Sequence, residues 1–156
     1  MTSRRRFLAL VSGALAAGEV AAQLDPNIQK LRAAALEAAI RKITGGNPLR
    51  AGKVKLQVPP LVDNGNTVPL SVSVDSPMTG ADHVKAIHVL TEKNPQPYVV
   101  SAYLGPRAGR ASLTTRARIA DTGKVIAIAQ LSDGSFWSDS VSVVVTLSAC
   151  LEDGLI

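Results

Sequence analysis

Val68-Pro69-Leu70-Ser71-Val72-Ser73-Val74 is the stretch whose reading decides the fold. Val68, Leu70, Val72 and Val74 alternate with Pro69, Ser71 and Ser73, and a period of two sends the apolar side chains to one face and the polar ones to the other. This is the pattern of a strand in a sheet with one buried and one solvated face. Outward from it, the same period begins after residue 53, where Val54, Leu56 and Val58 lie on one side of an earlier strand. Further strands are predicted near 84–90, 97–104, 111–119, 124–131 and 140–147, the last carrying Val141, Val143, Val145 and Leu147 in alternation. Turn signals separate them: Asn64-Gly65, Thr79-Gly80, Asn94-Pro95, Gly105-Pro106, Gly109, Thr122-Gly123 and Asp133-Gly134. Asp133-Gly134 predicts a tight type I′ hairpin, in which both central residues take positive φ.

Upstream of the strands the period is helical. Asp25-Pro26 supplies an N-cap and a first helical residue, and Gly45-Gly46 a stop, so a helix is predicted over 26–44. Ile28, Leu31, Ala35, Leu36, Ala39, Ile40 and Ile43 give it one apolar face, with Lys30, Arg32, Arg41 and Lys42 mostly off that face. One helix followed by seven short strands predicts an all-β chain, an antiparallel β-sandwich of immunoglobulin-like kind preceded by one N-terminal helix. The domain runs over 23–147, and 148–156 form a C-terminal tail.

The first 22 residues read as an export signal. Ser3-Arg4-Arg5-Arg6-Phe7-Leu8 is followed by an apolar run from Ala9 to Ala17, and Val20-Ala21-Ala22 offers a small-residue cleavage site before Gln23. Consecutive arginines before Phe-Leu match the twin-arginine type, which exports folded proteins; an ordinary secretory signal is the alternative. The apolar run is too short for a permanent membrane anchor. The expected location is the periplasm. Removal of the leader takes three arginines and Glu19 from a net charge of +5, leaving +3.

These numbers exclude several function classes. The remaining basic residues are scattered among acids, whereas a nucleic-acid surface needs clustered Lys and Arg. Aromatics are only 3% of the chain, too few for a stacking platform on single strands. The sequence holds no Gly-rich phosphate loop between a strand and a helix. One cysteine, Cys150, excludes an internal disulfide and any multi-cysteine cluster. His83 and His88 are an odd number apart, which on a regular strand sends them to opposite faces, so no metal site or other cofactor is expected. Asp63, Asp75, Asp82, Asp121, Asp133 and Asp139 mostly occupy predicted turns, and neither Ser135 nor Ser140 has a nucleophile motif around it. No catalytic residue is identified.

Cys150 stands out by position, beyond the last strand, where the chain leaves the sheet. Nothing nearby activates it; Glu152 and Asp153 disfavour its thiolate. Such a thiol must be presented to chemistry supplied by another protein. Capping, oxidation or simple packing of a terminal cysteine is the plainer alternative.

Several segments resemble SoxY, the sulfur-carrier family of the bacterial thiosulfate-oxidising system. They are Leu56-Gln57-Val58-Pro59-Pro60-Leu61-Val62-Asp63-Asn64-Gly65-Asn66-Thr67-Val68-Pro69, Val72-Ser73-Val74-Asp75-Ser76-Pro77-Met78 and His83-Val84-Lys85-Ala86-Ile87-His88. Glu92-Lys93-Asn94-Pro95-Gln96-Pro97, Thr115-Arg116-Ala117-Arg118-Ile119-Ala120 and Ser132-Asp133-Gly134-Ser135-Phe136 extend the likeness, which runs from about residue 25 to Cys150. The resemblance implies a non-enzymatic carrier paired with a SoxZ-like subunit as a heterodimer, with Cys150 as the covalent attachment residue. It also implies a thiosulfate-oxidising cytochrome that loads the cysteine and a hydrolase that releases sulfate from it. The family's arm reads close to Gly-Gly-Cys-Gly-Gly, whereas Ser148-Ala149-Cys150-Leu151-Glu152 stands here, stiffer, bulkier and more acidic. Two further readings stay open: an immunoglobulin-like interaction subunit that keeps the SoxZ-type partner without carrying sulfur, and a metal centre built from His83, His88 and Cys150.

Overall fold

The computed structural model describes residues 25–147. The predicted leader, 1–22, and the tail, 148–156 with Cys150, lie outside the described residues. Helix α1 spans Pro26–Thr44. Asp25 accepts a 2.7 Å hydrogen bond from the Asn27 N–H at its start, and Gly45, at φ 62°, donates its N–H to the Arg41 carbonyl at its end. The strands are β1 Leu49–Arg50, β2 Val54–Gln57, β3 Leu61–Asn64, β4 Val68–Val74, β5 Val84–Thr91, β6 Tyr98–Tyr103, β7 Ser112–Ala117, β8 Gly123–Leu131 and β9 Phe136–Leu147. They form a larger sheet in the order β1-β9-β8-β5-β6, with β3 also on β9, and a smaller sheet β2-β4-β7.

The alternation of Val68 to Val74 builds the core. Val68, Leu70, Val72 and Val74 of β4 face Ile87 and Val89 of β5, Val125 and Ala127 of β8, and Val143 and Val145 of β9 across the sandwich, all buried. Each of the Val, Leu and Ile side chains among them contributes about 1.5–3 kcal/mol of transfer free energy. Pro69 stands within this central strand without breaking it. Val74 sends its N–H toward the β7 side, to the Ala111 carbonyl, so by alternation residue 69 faces the β2 side. There β2 has already ended, at Gln57 opposite Ser71, and the donor that proline lacks has no strand to serve.

The larger sheet is buried on its outer face as well. Leu36, Ala39, Ile40 and Ile43 of α1 pack on Leu90, Ile126, Ile128 and Phe136, which is why β5 is buried on both faces from Ala86 to Thr91. The helix is rotated from the face expected. Leu31 is 70% exposed, whereas Arg32 is buried and donates from Nη1 to the Lys93 carbonyl at 2.7 Å. An arginine stem can line an apolar face when its head finds an acceptor there.

Three local features differ from the expectation. β1 and β3 were not foreseen, and both run parallel to β9, although the sandwich is otherwise antiparallel. β9 starts at Phe136 instead of near residue 140. The Asp133-Gly134 turn is one residue longer than a type I′ turn: Gly134 has φ 82° while Asp133 stays at negative φ, and Leu131 bonds Ser135 and Gly134 across it. This is the three-residue hairpin in which glycine alone takes the left-handed position. Asp133 accepts from the hydroxyl and the N–H of Ser135. Those two bonds, then the charges of Lys53 and Arg50, hold its carboxyl below the usual range.

Candidate functional site

β9 is the strand that delivers the chain to Cys150, and its last residues are fastened on both sides. On one side β3 pairs Leu61 with Val144, Val62 with Val145 and Asn64 with Leu147. On the other side β8 begins at Gly123, opposite Val143, and beyond it Thr122 takes over with its side chain. Its Oγ1 accepts the Val145 N–H at 3.0 Å and donates to the Val145 carbonyl at 3.4 Å. A threonine hydroxyl can do both, so it extends the ladder by one residue where no strand remains. Thr146 adds a 3.3 Å bond to the Asp63 carbonyl.

The loops at this end are tied to one another. Asn94 is the main clasp: Nδ2 donates to the Arg118 carbonyl and Oδ1 accepts the Ala120 N–H, both at 2.8 Å. Ile119 donates to the Gly65 carbonyl at 2.8 Å, joining the β7–β8 loop to the β3–β4 loop. Gly123 lies so close to Lys93 that a Cβ there would stand 2.6 Å from its Cγ. Beside it Glu92 accepts the Lys124 N–H at 3.1 Å. Charges of both signs lie near this strand end, with Asp63 and Lys124 exposed and Asp121 half-buried. The arrangement is a cross-tied platform from which β9 emerges. Chemically it can present a following segment and hold its root still.

Cys150, the predicted attachment residue, lies three positions beyond the described residues. The two histidines are not brought together. His83 precedes β5, with its backbone bonded to Ser132 and its buried Nδ1 without a hydrogen-bond partner among the described residues. His88 sits within β5 on the outer face of the sheet, 2.8 Å through Nδ1 from Ser101 Oγ and edge-on to Tyr103. Burial pushes its pKa below the ordinary imidazole value. A register shift between Val84 and Ala86 removes the regular alternation on which the parity argument rested. Among the described residues no three His, Cys, Asp or Glu side chains gather into a group able to hold a metal ion.

Asp139, expected near a turn, is instead in the middle of β9. Its Oδ2 accepts the Leu56 N–H at 2.8 Å, linking the two sheets, and its Oδ1 accepts from Ser140. Sequence reasoning missed Thr122 and Asn94 as site-shaping residues. Asn94-Pro95 was visible as a turn, but its double clasp depends on residues more than twenty positions away. An open groove of about 410 Å³ on the smaller sheet, lined by Leu56, Val58, Pro59, Pro69 and Leu70 among others, has no titratable side chain in its wall. No helix among the described residues is long and apolar enough to cross a membrane.

No curated protein sequence matches the chain. Among solved structures, the sulfur carrier protein SoxY from Chlorobium limicola f thiosulfatophilum is similar with a TM-score of 0.62 and 27% identity, covering 74% of this chain and 99% of that one. A superoxide reductase (neelaredoxin) from Ignicoccus hospitalis is similar at a TM-score of 0.54 and 18% identity over 60% of this chain and 80% of its own. A putative superoxide reductase from Thermotoga maritima follows at 0.51 and 20%, over 63% and 87%. At those identities the two reductases show a shared fold alone. The family model described as sulfur oxidation protein SoxY matches residues 40–150, ending on the one cysteine of the sequence. This chain belongs to the SoxY family.

Proposed function

We propose that the protein is a periplasmic carrier that holds thiosulfate-derived intermediates covalently on Cys150, acted on by partner enzymes without turnover of its own. The observation that carries the reading is the family match, which extends through the strand platform to Cys150. The likeness to a sulfur carrier protein over nearly all of that protein's length supports it. Cys150 is three positions beyond Leu147, and an extended chain spans at most about 10 Å over that length. The thiol therefore works close to the platform, on a short arm.

In the loading step the Cys150 thiol loses its proton and the terminal sulfur of thiosulfate bonds to Sγ. Two electrons pass to an oxidising c-type cytochrome enzyme. Water then attacks the outer sulfur of the resulting S-thiosulfonate. Sulfate leaves with the water's oxygen; of the water's two protons one stays on the persulfide that remains on the cysteine and the other is released. The platform contributes position. Thr122 and β3 hold the strand end from which the chain continues to Cys150. A SoxZ-like subunit is the expected heterodimer partner, and export by the twin-arginine route suits a carrier that folds before leaving the cytoplasm.

The reading is tested by reconstitution. With the SoxZ-like subunit, the oxidising cytochrome and thiosulfate, cytochrome reduction should require this chain and disappear in Cys150→Ser. Equal reduction with Cys150→Ser would leave an interaction subunit without carrier activity as the surviving account.

A further inference from the structure

β2 leaves the smaller sheet before β4 does. Its last residue, Gln57, stands opposite Ser71, so the flank of β4 at Val68, Pro69 and Leu70 has no described strand paired to it. By the alternation already described, the Pro69 carbonyl points to that flank, an acceptor with no strand to serve it. The open groove of about 410 Å³ lies here, with exposed Pro59 and Pro69 in its wall and Leu56, Val58 and Leu70 beneath them. No titratable side chain lines it. It suits an uncharged, apolar stretch of backbone that can offer an N–H.

A segment of this chain outside the described residues has that composition and can reach the groove. β9 ends at Leu147, the Cα partner of Asn64, and neighbouring strands lie about 4.8 Å apart. Pro69 is five residues from Asn64, at most about 18 Å along the chain. Pro69 therefore stands within about 23 Å of Leu147. From Leu147 to Leu155 there are eight residues, which span about 26 Å when extended. Leu151 reaches only about 13 Å, so Leu155-Ile156 is the bulky apolar part of the tail that arrives. Charge agrees with this placement. Glu152-Asp153 precedes the pair. Arg116, exposed, is the Cα partner of Pro69, and cross-strand partners project from the same face.

We propose that Leu155-Ile156 docks in the groove between Pro59 and Pro69, with a backbone N–H of the tail on the Pro69 carbonyl and the acidic pair beside Arg116. A linker this short presents the pair at an effective concentration on the order of millimolar, so a shallow groove suffices to hold it. Docking turns residues 148–154 into a loop rooted at both ends, at Leu147 on the platform and at Leu155 in the groove. Cys150 then sits within that loop, and undocking frees it to range further from the sandwich. The residues after the cysteine, where the sequence departs from the family's glycines, thereby acquire a role. The docking stands on the groove and on the reach of the tail, and does not depend on the carrier reading.

NMR spectroscopy of the isotopically labelled chain under reducing conditions, which remove any Cys150 disulfide, tests the proposal. Leu155→Ser combined with Ile156→Ser removes the apolar pair at unchanged charge and touches no described residue. It is expected to move the amide resonances of Leu56, Val58 and Leu70 and to leave those of the Asp133-Gly134 hairpin in place. From the other side, Pro69→Glu sets a carboxylate in the groove wall and is expected to move the amide resonances of Leu155 and Ile156. Those two amides should exchange at least about threefold more slowly in wild type than in Pro69→Glu. Groove resonances unmoved by the tail substitutions overturn the proposal. So does a shift that fades on dilution, which would assign the groove to the tail of another molecule. A groove that responds only to an added SoxZ-like subunit, while Leu155 and Ile156 exchange freely, overturns it too.

Discussion

Replacing Asp139 with alanine should loosen the sandwich where its two sheets meet. Leu56 is buried, and β2 pairs with β4 alone. Lys53 gives its carbonyl to the Asp75 N–H on the β4 side, so by alternation the Leu56 N–H points the other way. Asp139 Oδ2 satisfies it at 2.8 Å. A hydrogen bond to a charged group contributes about 1.5–3 kcal/mol, and the truncation also strands a donor on a buried residue. Asp139 is half-buried, so water recovers part of that loss, and the expected cost of Asp139→Ala is about 2 kcal/mol. For a domain of this size that corresponds to a fall in Tm of roughly 6–10 °C. Asp139→Asn keeps an acceptor without the charge and should lose about 1 kcal/mol, half as much. Urea unfolding measures both, with the midpoint moving at constant slope. An Asp139→Ala change within about 0.5 kcal/mol of wild type, the range of an unremarkable surface substitution, would refute the inter-sheet role. Equal losses in the Ala and Asn variants would refute the hydrogen-bond argument specifically.

Other consequences follow from the same geometry. Asn94→Asp keeps the acceptor for Ala120 but turns the donor toward Arg118 into a carboxylate oxygen facing a carbonyl. It should destabilise by about 1–3 kcal/mol in urea unfolding, at least as much as Asn94→Ala, and a milder effect than Ala would contradict the assigned clasp. Gly123→Ala places a Cβ 2.6 Å from Lys93 Cγ and should cost about 1–2 kcal/mol, most of it recovered by adding Lys93→Ala; strictly additive losses would deny the clash. His88 has its pKa lowered by burial, so the unfolded chain binds the proton more readily than the folded one. Its contribution is full above the unfolded value of about 6.5 and is lost as pH falls from there toward the folded value. His88→Gln should therefore flatten the stability profile in that window, and an unchanged slope would remove His88 as its source.

Much of the fold was legible because alternation is a local signal. The seven strands expected from apolar periodicity all exist, and the helix caps are where Asp25 and Gly45 put them. β1 and β3 escaped because two and four residues carry no period, and their parallel pairing with β9 joins positions more than eighty apart. Helical spacing puts Arg32 mostly off the apolar face, but the Lys93 carbonyl that receives it is set by tertiary packing. The candidate site was legible as a residue and illegible as a place. Cys150 could be singled out by count and position. The platform behind it rests on Thr122 and Asn94, whose partners are other loops' backbone groups. No sequence period announces such bonds. Asp139 shows the opposite error, since a residue type common in turns serves here as an internal cross-link.

The central claim, that this SoxY-family chain carries sulfur on Cys150, is tested most directly by intact-mass spectrometry. The chain is incubated with thiosulfate and the cognate oxidising enzyme, and peptide mapping then locates any adduct. The account predicts a thiosulfate-derived mass increase on the peptide containing Cys150, abolished in Cys150→Ala and reversed by a thiol reductant. An unmodified wild-type chain, or the same increase in Cys150→Ala, would contradict it.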